Sequence, residues 1–305
     1  MLVWKVFSEV LLPILVMFGA GWVLDRRCRL DLGSLVKLNI YLFVPAFIFV
    51  QIVVSDLSTG MAVRVVGFTA AIVTGMFLIS AIVGRVLHYE ASQTRSLQLA
   101  TMFYNSGNYG VPLMALAYPV AGPVLQAFVI VAINVSTFTV GLLLAASGQA
   151  GGWRSFVPML RQVSLWAVAC ALLVRGFQLP VQEWRWLWVP LEYLSDALVG
   201  IALVTLGAQI SKTPPPTHFS RLGWAIGVRL LGGPLLAVAL VRAFGFEGEA
   251  ARIMILSSAF PTAVNTALIA HELKADPDFA ASAVFASTLV SMLSVTLLIA
   301  LLQLL

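Results

Sequence analysis

Between Val6 and Leu302 the chain reads as a succession of long apolar stretches broken by short polar connections. Each is about 20 residues long, which is what one α-helix needs to cross a hydrocarbon core about 30 Å thick. Nothing else in the sequence restricts the fold as strongly. In lipid every backbone N–H and C=O must find a partner inside its own structure, so segments of this length are helices. A first set of five is read at Val6–Leu24, Leu35–Val54, Val63–Leu87, Ser96–Tyr118 and Pro123–Ala146. A second set is read at Pro158–Phe177, Leu187–Ile210, Leu222–Phe244, Ala250–His271 and Phe279–Leu302. Of the 305 residues, 60% are hydrophobic and only 10% are charged, against about 25% charged in soluble domains. The expected class is an all-α polytopic membrane protein with ten transmembrane helices. The net charge of +5 then reads as loop charge that orients the chain, not as a nucleic-acid surface.

The loops give an orientation. With the N-terminus outside, one face receives eleven of the 18 Lys and Arg residues and the other six, while Arg229 lies within the eighth span. The excess places the first face in the cytoplasm and both termini outside. Division into five plus five makes the two halves enter from opposite faces, so residues 1–147 and 155–305 are expected to be inverted repeats within a single membrane unit. Each half opens near a proline, Pro13 and Pro158, and each has an interrupted fourth span. The first span has its basic cluster after the apolar run and reads as retained, not as a cleaved signal.

The interruptions are YNSGNYGVP, Tyr104 to Pro112, and AFPTAVN, Ala259 to Asn265. Ser96 to Gly107 and Ala250 to Pro261 are each 11 residues apart, roughly 16 Å of helix, so both breaks are expected near mid-membrane. Irregular backbone at that depth needs protein or a water-filled cavity around it. Matching broken helices in the two halves are the best sequence pointer to a transporter's binding site. A second half-helix that starts there offers free N–H groups and about half a positive charge, which favours an anion. The donors expected beside it are Asn105, Asn108 and Thr262, with Tyr104, Gly107, Pro112, Pro261 and Asn265 shaping the breaks. The carbonyl ends of the first half-helices suit Na⁺ equally well.

YNSGNYGVPL, followed in the second half by AFPTAVNTALIAHELKADPDFAASAVFASTLVSML, resembles the auxin efflux carrier family. LLPILVMFGAGWVLDRR, LNIYLFVPAFIF and ALVTLGAQI agree with it, so the resemblance spans essentially the whole chain. That family includes plant auxin exporters and bacterial malonate and malate permeases. The resemblance implies ten helices in two inverted five-helix repeats, with helices four and nine broken and crossing, as in the bile-acid symporter and NhaA-like folds. It also implies a scaffold and a transport domain, elevator-type alternating access, a homodimer and a substrate-contacting role for Asn105. The long hydrophilic central loop of the plant exporters is absent, so their phosphorylation control is expected to be absent too.

Other polar residues within the spans each have two readings. Arg229 can pair with a substrate carboxylate, snorkel to the interface, or bond free carbonyls. Glu192 and Asp196 share a helix face. Asp196 is the candidate for H⁺ or Na⁺ coupling, or else a solvated residue at the outer mouth. Asn134 and Asn39 either line a cavity or make interhelical hydrogen bonds. His88, His218 and His271 have no metal-ligand spacing, Cys28 and Cys170 suggest no disulfide, and no cofactor motif or catalytic constellation is evident. The expected activity is therefore not enzymatic. It is secondary transport of small organic anions, auxin-like monocarboxylates or dicarboxylates, across the cytoplasmic membrane. The alternatives are a sodium-coupled bile-acid-type symporter and a non-transporting membrane sensor or channel.

Overall fold

The computed structural model describes residues 2–146, 162–213, 219–266, 269–270 and 275–304. Six described helices are long and apolar enough to cross a membrane. These are α1 (Leu2–Cys28), α2 (Leu32–Val54), α3 (Thr59–Val86), α8 (Arg185–Lys212), α9 (Phe219–Val241) and α11 (Pro277–Leu302). Between them lie α4 (Ala91–Met102), α5 (Gly110–Ala117), α6 (Ala121–Ala146), α7 (Val163–Gly176) and α10 (Gly248–Ser258). No strand occurs among the described residues, only one isolated antiparallel bridge. Large apolar side chains such as Val16, Ile82, Leu235 and Leu293 stand exposed along the helices, a surface that suits lipid and not water. The protein is a multi-pass helical membrane protein. Pro158, His218 and His271 lie outside the described residues.

Local chemistry explains where helices start and bend. The Asp31 carboxylate caps α2 by accepting from Gly33 N–H (3.0 Å) and Ser34 Oγ (2.6 Å). Those donors hold its carboxyl below the ordinary range. Ser58 caps α3, Glu90 and Gln93 form a reciprocal capping box on α4, and Asp276 followed by Pro277 starts α11. Three spans contain a π-helical turn, at Phe7–Leu11, Asn39–Phe43 and Val228–Gly232. Each is followed two residues later by a proline: Pro13, Pro45 and Pro234. Proline has no N–H to donate and its ring collides with the carbonyl four residues back, which falls inside the widened turn in every case. The π turn absorbs that clash without breaking the span.

α1 packs along α8, and α2 packs against both α7 and α8. Asn39 Nδ2 donates to Thr205 Oγ1 (3.4 Å) across α2 and α8, an interhelical bond, while its buried Oδ1 has no partner among the described residues. Lys212 at the end of α8 pairs with Asp25 of α1 (3.3 Å) and donates to Leu30 O (2.6 Å). Arg175, closing α7, donates to Ser55 Oγ and Leu57 O. The remaining helices gather around α4 and α10: α3 on α4, α6 and α9, and α11 on α4, α9 and α10.

Candidate functional site

α4 and α10 end inside the protein after 12 and 11 residues, about 18 and 16 Å of helix. Both expected breaks are present. The first runs from Phe103 until α5 starts at Gly110, one residue earlier at its start than the expected Tyr104 and ending before the expected Pro112. The earlier start has a cause. Phe103–Asn105 runs extended against Pro261–Ala263, and the two breaks pair as a short antiparallel bridge between Tyr104 and Thr262. Asn105 N–H donates to Pro261 O (2.8 Å), and Ala263 N–H donates to Phe103 O (2.9 Å). Tyr104 and Tyr109 both meet the Phe260 ring edge-on, at 6.3 and 5.7 Å between centroids.

Much of the break is therefore satisfied internally. Thr262 N–H donates to Ser287 Oγ (3.0 Å) and Thr262 Oγ1 to Ala100 O (2.7 Å), so this residue is not the free donor the sequence suggested. Gly110 N–H and Val111 N–H turn back to Asn105 O and Gly107 O. Pro112, the third residue of α5, has no N–H and follows the preference of proline for a first helical turn. What remains is compact. The N–H groups of Gly107, Asn108 and Tyr109 have no acceptor among the described residues. Beside them, Asn105 is only 6% exposed and its Nδ2 has no partner. Asn108 is half-buried, and a Cβ placed on Gly107 would meet nothing within 4 Å. In the second break Val264 N–H and Asn265 N–H also lack acceptors among the described residues, while the Asn265 side chain is exposed.

Residues that sequence reasoning passed over hold this geometry. Gln126 of α6 is fully buried; its Nε2 donates to Ser106 O (2.7 Å) and its Oε1 accepts from Ser257 Oγ (3.2 Å). One side chain thus links the first break to the last turn of α10. Gly110 makes room for it, since a Cβ there would lie 2.6 Å from both Gln126 Nε2 and the Phe260 ring. Ser287 and Ser291, one turn apart on α11, reach Thr262 N–H and Tyr109 Oη (3.0 Å each). In sequence the pair is two hydroxyls at i, i+4 in a span that also carries Ser282, Thr288, Ser294 and Thr296, so nothing local singles it out.

The other sequence candidates fall elsewhere. Asn134 is half-buried on α6, eight residues past Gln126, about 12 Å along the axis. Its side chain makes no hydrogen bond to either break. Asp196 is exposed on α8 and forms no ion pair among the described residues. Arg229 is wholly buried within the π turn of α9. Its Nη1 donates to Thr101 O (2.6 Å), its Nη2 donates to Ser258 O, and its Cζ lies 5.0 Å from the Tyr104 ring centroid.

Discontinuous helices whose free ends converge inside a multi-pass helical body define a class, the membrane transport proteins. The chain belongs to the family described as Membrane transport protein, that of the auxin efflux carriers, whose model matches residues 6–155 and 189–299. An "Uncharacterized transporter" of Methanothermobacter thermautotrophicus is 26% identical over 295 residues, 95% of this chain and 96% of that one. Auxin efflux carrier component 2 of Arabidopsis thaliana is 31% identical over 104 residues, 33% of this chain and 16% of the plant protein.

Proposed function

We propose that the protein is a secondary carrier of small organic anions, mono- or dicarboxylates, with the carboxylate held at the first break. One observation carries this reading: among the described residues the buried Asn105 Nδ2 has no acceptor, and neither do the N–H groups of Gly107, Asn108 and Tyr109 next to it in the chain. An orphaned buried donor costs about 1–3 kcal/mol, and several together at the N-terminal end of α5 complement a carboxylate. Asn108 closes the site and Tyr104 forms its floor. The second break, Pro261 to Asn265, fixes its position through the bridge. The ten spans form two inverted five-helix repeats, residues 1–147 and 155–305. The bundle carrying both breaks moves against the one built on α1, α2, α7 and α8 in an elevator-type cycle, and the carrier works as a homodimer in the cytoplasmic membrane with both termini outside. The auxin-related name of the plant relative is in keeping with a carboxylate cargo.

An inside-negative membrane drives an anion outward by about 2.3 kcal/mol per charge per 100 mV, so export needs no second ion and uptake needs one. Counterflow of labelled carboxylates into proteoliposomes tests the proposal. Exchange is expected for at least one small mono- or dicarboxylate, competed by its unlabelled form and not by neutral amide analogues. Equal competition by the amides would remove the negative charge from recognition and reject the reading.

A further inference from the structure

The opposite pole of the two broken helices already contains a cation. α4 and α10 end near each other, and each helix end carries about half a negative charge from its unpaired carbonyls. Two such ends sum to about one unit of negative charge, the amount a single monovalent cation neutralises. Arg229 supplies it. Its two terminal nitrogens each take one helix end, Nη1 on Thr101 O of α4 and Nη2 on Ser258 O of α10. No carboxylate among the described residues pairs with this guanidinium, whose face lies over Tyr104. The neighbouring carbonyl, Ala100 O, is taken by Thr262 Oγ1. Gly233, one turn past Arg229, is what admits it. A Cβ there would run into both Arg229 Nη2 and Ser258 O.

We infer that Arg229 is a resident counter-cation. It fills permanently the position between the two carbonyl poles that an exchangeable Na⁺ would otherwise occupy, and it fastens α4 to α10 so that both breaks travel as one body. It positions the site and does not touch the cargo. A carrier built this way takes no Na⁺ at this pole, and the positive charge beneath Tyr104 is constant through the cycle. The inference rests on the proposed transport reading for the cargo and the movement; the clasp and the occupied pole are properties of the folded protein.

The test is a set of melting curves on purified protein in detergent micelles, in NaCl and in choline chloride at equal ionic strength. The parent protein is expected to melt at one temperature in both salts. Arg229→Ala is expected to melt about 6–10 °C lower, the scale of losing a buried, hydrogen-bonded charge in a chain of this size. Gly233→Ala, which displaces the guanidinium without removing it, is expected to lower melting in the same way. The double variant still carries the clash between the added Cβ and Ser258 O, so it is expected to fall below Arg229→Ala alone. Where Arg229→Ala yields no folded protein, Arg229→Lys, which keeps one of the two carbonyl contacts, takes its place with a smaller loss. A Na⁺-dependent rise in the parent's melting temperature would overturn the inference, as would an Arg229→Ala variant that melts with the parent. Failure of carboxylate counterflow sinks the proposed cargo and leaves these outcomes unaffected.

Discussion

Gln126 offers the sharpest test of how the two breaks are held together. It is fully buried and bridges a carbonyl of the first break to a hydroxyl on the last turn of α10, at 2.7 and 3.2 Å. Replacing it with leucine keeps most of the volume and removes both bonds. Ser106 O and Ser257 Oγ then lose a buried partner each, and each orphan costs about 1–3 kcal/mol. The total is about 2–6 kcal/mol. For a chain of this length roughly 2 °C of melting temperature accompanies each kcal/mol, so a fall of about 4–12 °C is expected. Gln126→Glu keeps the acceptor for Ser257 Oγ but loses the donor to Ser106 O and sets two acceptors against each other. It is expected to be as damaging as leucine despite its closer shape. The assay is tryptophan fluorescence on heating the purified protein, with counterflow on the same preparations. A leucine variant that melts with the parent and transports normally would refute the claim that this side chain joins the breaks.

Other substitutions probe other parts of the site. Asn105→Ala is expected to lower counterflow by about tenfold or more, the scale of one lost charge-assisted hydrogen bond, with melting unchanged or slightly raised because an unpaired buried donor disappears; parent-like transport removes Asn105 from the site. Gly110→Ala drives a Cβ to 2.6 Å from the Phe260 ring and Gln126 Nε2, an overpacking expected to cost about 1–3 kcal/mol and to appear as lower melting and weaker transport together. Ser287→Ala leaves Thr262 N–H without its acceptor at 3.0 Å, and a loss of about 1–2 kcal/mol is expected from chemical unfolding, whereas Ser294→Ala on the same helix is expected to do nothing measurable.

The apolar runs located the six described membrane-length helices to within a few residues, because a membrane helix is set by length and hydropathy and both are local properties. Leu35–Val54 was expected where Leu32–Val54 is observed, and Phe279–Leu302 where Pro277–Leu302 is observed. The breaks were legible for the same reason: two Asn, two Gly and a Pro within nine residues cannot continue a buried helix at low cost. Their extent was not. Phe103 is a good membrane-helix residue, and what draws it out of α4 is the main-chain bond that its carbonyl accepts from Ala263 N–H. Arg229 announced itself as an expensive charge at depth, yet its acceptors are backbone carbonyls, which have no signature in a sequence. Gln126 gave no periodic signal at all, and Asn134, the more conspicuous polar residue on the same helix, drew the attention instead. Thr262 was read as a donor to cargo because nothing local reveals that Ala100 O lies beside its hydroxyl.

The join between the breaks is made by main-chain atoms: Asn105 N–H to Pro261 O, and Ala263 N–H to Phe103 O. Any amino acid except proline at 105 and 263 can make those two bonds. Descendants of such a chain can therefore exchange the side chains around the gap, and with them the shape and chemistry of what is carried, while the gap itself stays where it is. Diversity of cargo across a lineage then needs no re-engineering of the helices, only new residues on a fixed seam.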